Sequence, residues 1–296
     1  SAFGEIDDKN FVIDLGKSSD FSPVNDFLIP LFNKRKLAKS TFHKEATKFH
    51  LDQLFLSHLD KDHIADYEGF KNSFHPEYMS CPSDNTKQKE AFKINRDLIG
   101  ELSDLKIMVL NDMKMRSPSF ENRPLISTIQ NIELNFVRPK NCEDSEELKE
   151  GYANNISLTL FVKIDDKTVL FPGDLLKKGM KYLIDNNGNF KKLLEDDGID
   201  YLVAPHHGLQ TSFSEYLFQT MNNNKTRLNI ISEKVRKVDS NENRTDVDSR
   251  YYNEDYSSGV NSLGKRGVKT SLGHIVIDFE TPETEIKQYT DISDVI

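Results

Sequence analysis

Apolar residues along this chain fall into short runs broken by polar turns, the pattern of a protein that mixes strands with helices. The first run, NFVIDL at Asn10–Leu15, closes on Gly16 and reads as a buried strand entering a turn. Val24–Phe32 reads as the start of a helix. Asp52–Ser57 reads as a second strand that feeds directly into His58, and Ile64–Phe74 turns helical. Residues from about 76 to 150 are less regular. KIMVL at Lys106–Leu110 and the segment Ile129–Val137 are predicted strands, and the acidic stretch Cys142–Glu150 a solvated loop.

The second half alternates more evenly. Ile156–Ile164 and Thr168–Phe171 are predicted neighbouring strands around a turn at Asp165–Lys167. Leu175–Ile184 and Phe190–Glu195 are predicted helices, and Tyr201–Ala204 and Arg227–Ile231 predicted strands. Asp239–Ser258, rich in Asp, Asn, Ser and Tyr, reads as a polar loop, and Gly267–Phe279 as a closing strand. No repeat and no strong linker interrupts the series, so the expectation is a single α/β domain over residues 1–296, with 76–150 a partly irregular insertion.

Composition changes this picture little. Hydrophobic residues make up 36% of the 296, with 19 Phe and 10 Tyr, enough for a sizeable core; charged residues make up 29%. The net charge of −9 argues against a general nucleic-acid coat but leaves room for a local basic groove. Cys81 and Cys142, the two cysteines, are too few for a four-cysteine zinc site and read as free thiols. No apolar run reaches the ~18 residues that a membrane span requires, and no charged-then-apolar leader is seen, so the expected location is cytoplasmic. The opening Ser1-Ala2-Phe3-Gly4, without Met, reads as a processed or trimmed end.

Chemistry concentrates in three segments. SHLDKDH at Ser57–His63 offers His58, Asp60, Asp62 and His63 where a strand meets a helix. LFPGD at Leu170–Asp174 ends a strand on a glycine followed by a carboxylate, and VAPHHG at Val203–Gly208 sends a strand into the pair His206/His207. Any one piece is an ordinary turn or cap. Three predicted strand ends that each present imidazole or carboxylate are the donor set that Zn²⁺ or Mn²⁺ accepts. His43 and His50, in a polar stretch that reads as helical, are expected on the surface, and His274 is expected to be structural.

HxDxDH, then GD, then HHG, in this order, resembles the metallo-β-lactamase superfamily, and within it the branch typified by the hydrolase domain of ComEC-type competence proteins. Ile13–Gly16 matches that family's early strand and turn. Asn154, Asn155 and Ser157 match its strand before GD, Thr211 and Ser212 its continuation after HHG, and Gly267–Ile275 its closing strands. The resemblance implies a four-layer αββα sandwich and a two-cation cleft, with Zn²⁺ as the metal and Mn²⁺ as the alternative. His58 and Asp60 would serve the first cation, Asp62, His63 and His206 the second, and Asp174 would bridge them. His206 is preferred to His207 because it comes directly off the strand. Two departures stand out. Asp60 lies where the wider superfamily has His, and a third His for the first cation is missing from the expected region. The strand that usually precedes the early turn is also expected to be missing.

The implied reaction is hydrolysis by a metal-bound hydroxide, with Asp60 or Asp62 accepting the proton and His207, Asn155, Thr211 and Ser212 touching substrate oxygens. A phosphodiester or nucleic-acid substrate is the first expectation. A small ester, lactone or nucleotide is the second, and a metal-binding sensor with little turnover the third. Lys177, Lys178 and Lys181, then Lys234, Arg236 and Lys237, then Lys265, Arg266 and Lys269 are the basic patches that could track a polyanion.

Overall fold

The computed structural model describes residues 1–35, 37, 47–82, 98–99, 103–116, 127–232, 236–238, 242–244, 247–281 and 285–295, with backbone alone at 114–116, 236–238, 242–244 and 285. His43 and Lys234, and the side chains of Arg236 and Lys237, lie outside the described set. The chain forms two compact units, Ser1–Leu158 and Thr159–Val295. Each mixes strands and helices, so the α/β class read from the sequence holds.

The first unit is built on a four-stranded sheet in the order β1-β2-β3-β4, formed by β1 (Ala2–Ile6), β2 (Lys9–Ile13), β3 (Phe49–Phe55) and β4 (Phe74–Ser80). β1 precedes the early turn and pairs antiparallel with β2. The β2–β3 and β3–β4 pairs are parallel. β3 lies between two neighbours, and all of its residues except His50 are buried. That is the signature of a strand covered on both faces. His50 therefore belongs to a strand and not to the helical stretch expected for it. The unit's core is aromatic: the Phe32 ring meets those of Phe49 and Phe74 edge-on at 5.5 and 5.0 Å, and Phe70 stacks on Phe74 at 5.2 Å. The predicted helix near Val24 begins as a π-turn over Pro23–Leu28, capped by Ser22, and continues as α1 (Ile29–Lys34). After β3 come α2 (Lys61–Ile64) and α3 (Tyr67–Ser73), as expected.

Two expectations in the irregular region are overturned. KIMVL is not a strand but the start of α4 (Asp104–Arg116). Lys106, Val109, Leu110 and Met113 are buried while Ile107 is exposed. That is helical spacing, visible only when the pattern is followed past Leu110. Ser103 caps the helix, accepting from the Lys106 amide through its hydroxyl and from Ile107 through its carbonyl. The Cys142–Glu150 stretch is likewise not a loop. After β5 (Ile132–Asn135) it contributes to α5 (Pro139–Asp144) and α6 (Glu146–Lys149), followed by α7 (Tyr152–Asn155). Cys142 and Leu148 supply its buried side. Charge on the outer face hid two short amphipathic turns.

In the second unit β6 (Thr159–Ile164) and β7 (Lys167–Phe171) form the expected hairpin, turning through Asp165 at φ 52°. β8 (Tyr201–Val203) adds parallel to β7, and β9 (Leu228–Ile231) parallel to β8. A short hairpin, β10 (Arg236–Val238) with β11 (Glu242–Arg244), and the turn Ser249–Tyr252 replace part of the expected polar loop. β12 (Gly267–Lys269) then pairs parallel with β9. The predicted closing strand is thus two pieces, because β13 (His274–Asp278) pairs instead with β14 (Glu285–Tyr289). The helices are α8 (Lys177–Asn186), α9 (Gly188–Asp196) and α10 (Glu215–Thr220). Arg250 lies 3.9 Å over the Phe213 ring, in a cluster with Phe218, Tyr251 and Tyr256. Among the described residues no helix is long and apolar enough to cross a membrane.

Candidate functional site

In the first unit the loop after β3 is held by the turn after β2. Asp14 ends β2 with φ 56°, a left-handed conformation that Asp tolerates better than most residues. Its carboxylate accepts from the Ser57 amide at 2.7 Å, the Ser57 hydroxyl at 2.8 Å and His63 Nδ1 at 2.8 Å. A carboxylate acceptor puts the His63 proton on Nδ1 and the lone pair on Nε2. His58 Nδ1 lies 3.1 Å from the Ser57 hydroxyl, which already donates to Asp14, so the same tautomer follows for His58. The two rings are 4.2 Å apart, and both residues are buried. Burial by itself would raise the Asp14 pKa. The His63 imidazole, its hydrogen bond and the Ser57 amide outweigh burial and hold the carboxyl below its usual range.

The backbone completes the clamp. Leu15 N–H donates to the His63 carbonyl at 2.6 Å, and Asp66 N–H to the Leu15 carbonyl at 2.9 Å. A Cβ at Gly16 would stand 2.1 Å from the Asp62 carbonyl oxygen, so only glycine lets the two segments lie this close. Asp60 caps the start of α2 without a side-chain bond to it, leaving Oδ2 3.7 Å from His58 Nε2. The neighbouring His58 imidazole holds the Asp60 carboxyl below the usual carboxylate range against its partial burial, with Lys106 contributing in the same direction. Asp62 is half-buried on the first turn of α2.

In the second unit Asp174 follows β7 across Gly173 and is buried. The Gly173 carbonyl accepts from His206 N–H at 3.1 Å, which ties the end of β7 to the turn after β8. That turn is strained: His206, His207 and Gly208 take φ of 48°, 61° and 75° in succession. Left-handed backbone at a non-glycine residue costs roughly 1–2 kcal/mol, and such strain gathers at functional sites. Both histidines lie near Asp174 Oδ2, with His206 Nε2 at 3.8 Å and His207 Nε2 at 3.9 Å. His207 Nδ1 donates to the Ser232 carbonyl at 2.7 Å, which fixes its lone pair on Nε2.

In the second unit these groups fit a divalent cation. Atoms that share a tetrahedral cation at bonds of ~2.0–2.2 Å stand ~3.3–3.6 Å apart. The pairs at 3.8 and 3.9 Å around Asp174 need only a few tenths of an ångström of adjustment. An imidazole anchored through Nδ1 by a carboxylate or carbonyl is also the outer-shell arrangement found around metal ligands.

The residues expected to touch substrate are placed differently from one another. Asn155 is fully buried, and its amide donates to the carbonyls of Leu148 and Glu150 at 2.8 and 3.4 Å, so it pins its own loop. Ser212 is fully buried, while Thr211 is exposed. Sequence reasoning did not assign roles to Asp14, Ser57 and Lys106. For the first two the signal was available, because Asp14 lies inside the matched IDLG and Ser57 directly precedes His58.

No protein-family model matches the chain, and no curated protein matches it. Among solved structures it is similar to one described as "Crystal structure of hydrolase AbOPH in beta lactamase superfamily". The identity is 14% and the TM-score 0.32, over 68% of this chain and 69% of that one. A TM-score of that size does not establish a shared fold.

Proposed function

We propose that the chain is a divalent-metal-dependent hydrolase of phosphodiesters, a nuclease by preference, of metallo-β-lactamase type and nearest its ComEC-like branch. The reading rests on the motif order in the sequence and takes the four-layer αββα sandwich as its architecture. The observation that carries it is the preparation of the histidines. His63 and His207 are each locked through Nδ1, one by Asp14 and one by the Ser232 carbonyl, so that each offers Nε2. Zinc or manganese is the metal; the candidate ligands are Asp62 and His63 in the first unit, and Asp174 and His207 in the second. His207 takes the place that strand order gave to His206, because its tautomer is fixed by a backbone acceptor. Competition against a chromophoric chelator tests this choice: His207→Ala should lower zinc affinity at least about tenfold more than His206→Ala.

A bound cation supplies an activated water and a Lewis acid for the scissile phosphoryl oxygen. The protein's own part is to accept a proton at the Asp60 or Asp62 carboxylate and to gather the anion. For the second task α8 begins directly after the Asp174 loop with Lys177 and Lys178 in its first turn, both exposed. Lysines there oppose the helix dipole, which makes them poor choices for stability and good ones for an anion. Lys181, grouped with them on sequence alone, is engaged by Asp185 at 2.6 Å and by the Tyr216 ring at 4.4 Å. Arg266 likewise pairs with Glu254 at 3.3 Å, and Lys265 donates to Gln288 at 3.3 Å.

The test compares a small chromogenic phosphodiester with a long oligonucleotide, each with added Zn²⁺ or Mn²⁺. Lys177→Glu with Lys178→Glu should cut oligonucleotide cleavage roughly tenfold or more and flatten its salt dependence, since each lost phosphate contact removes ~0.7–0.9 from the slope. Turnover of the small substrate should hold. Unchanged cleavage of both substrates would favour an ester, lactone or nucleotide as substrate, and metal binding without any turnover would favour a sensor.

A further inference from the structure

Lys106 is a buried lysine that the proposed reaction does not use. It lies in the first turn of α4, where the helix dipole disfavours a cation, and only 9% of the residue is exposed. Lysines are rarely buried without a partner for the charge. Its ammonium donates to the Ile99 carbonyl at 2.9 Å and stands 3.8 Å from Asp60 Oδ1. The other Asp60 oxygen, Oδ2, is the one 3.7 Å from His58 Nε2. Asp60 is therefore shared between an ammonium on one side and an imidazole on the other. His58, Asp60 and Ile99 also line one small pocket, together with Leu59 and Ile156.

The helix that carries Lys106 is itself fixed. Asp112, two turns further along α4, is buried; it takes a hydrogen bond from the Tyr67 hydroxyl at 3.1 Å and pairs with Lys71 at 2.8 Å. The ammonium is thus delivered beside Asp60 by a braced element and held there by a backbone carbonyl.

Asp60 is a carboxylate where the wider superfamily of the resemblance has an imidazole. Resting on the metal-dependent reading above, we infer that the Lys106 ammonium stands in for the first cation beside Asp60, so that the chain holds one divalent ion and not two. A neutral imidazole at position 60 would leave the ammonium without a counter-charge, so the Asp and the Lys belong together. A divalent ion on Asp60 would face the fixed positive charge of Lys106 and would compete with it for the same carboxylate. The residues around Asp60 therefore do not fit a cation, whereas Asp174 with His206 and His207 in the second unit fit one.

The experiment is metal stoichiometry on the full chain, measured by elemental analysis after equilibration with Zn²⁺ or with Mn²⁺ and removal of the excess. The wild type and Lys106→Arg, which keeps the charge, should each retain one equivalent. The pair Asp60→His with Lys106→Met, which removes the ammonium and restores the imidazole, should retain two. Circular dichroism establishes that each variant is folded. Two equivalents in the wild type would overturn the inference and leave the hydrolase reading standing. One equivalent in a folded Asp60→His/Lys106→Met double variant would also overturn it. No retained metal in the folded wild type would instead defeat the metal-dependent reading itself. The wild-type count decides the matter even where a variant fails to fold.

Discussion

Asp174→Asn should abolish metal retention and lower turnover by more than the 10–100-fold typical of losing an outer-shell partner. Asp174 is buried, with an oxygen within 3.9 Å of Nε2 on both His206 and His207. Asn keeps the size and removes the charge, so two imidazoles then face an amide. An amide nitrogen has no lone pair for a cation, and the amide oxygen carries no formal charge to balance it. The backbone bond from His206 to the Gly173 carbonyl remains, so the turn should persist and the thermal midpoint should move little. His274→Ala is the matched control. It removes an imidazole from β13, outside the three motif segments of the sequence, and should leave metal content unchanged. Identical metal titrations for the two variants would defeat the assignment of Asp174.

The second large effect is expected at Asp14, which never meets the substrate in this reading. Asp14→Asn replaces a pure acceptor by a group with two donors. It cannot accept from the Ser57 amide, the Ser57 hydroxyl and His63 Nδ1 together as the carboxylate does. His63 is then pushed toward the tautomer with its proton on Nε2, the nitrogen a cation requires bare. Zinc affinity should fall about 10–100-fold. Breaking a buried hydrogen-bonded charge should cost on the order of 3 kcal/mol of stability. Metal titration and denaturant unfolding of the metal-free protein separate the two losses.

The sign of the pH dependence follows from the direction of the Asp14 shift. Its folded pKa lies below the ordinary 3.8, so its stabilisation is fully present above about pH 4 and fades as pH falls through the folded value. The stability gap between wild type and Asp14→Asn should therefore be widest near neutrality and narrow below pH 4. A gap that widened toward acid would mean that Asp14 is not held as a carboxylate.

Much of the candidate site was legible because its residues are consecutive. HLDKDH, GD and HHG each fall at a strand end, and that placement follows from apolar runs that stop on Gly, Pro or a polar residue. β3, β7 and β8 end within a few residues of where the pattern put them, and the Asp165 turn made the β6–β7 hairpin readable. The motif spacing also carried the likeness to metallo-β-lactamases, since spacing survives in a single sequence where tertiary contacts do not.

Other features depended on residues far apart in the chain. KIMVL is apolar enough for either periodicity, and α4 prevails because Ser103 caps it and Met113 extends its buried face. Asp14 gains its role from Ser57 and His63, more than forty positions away. The choice of His207 over His206 turns on a carbonyl at Ser232, and the pairing of Lys106 with Asp60 on a helix the sequence had disguised as a strand. The sequence by itself thus determined which side chains could bind a cation and at which strand ends they stand, because donor type and strand termination are local properties. Only the tertiary structure decided which nitrogen His58, His63 and His207 present, and that an ammonium stands beside the carboxylate of Asp60. Tautomers and buried charge pairs are set by distant partners brought within about 3–4 Å, where loss of water makes each hydrogen bond and each charge matter.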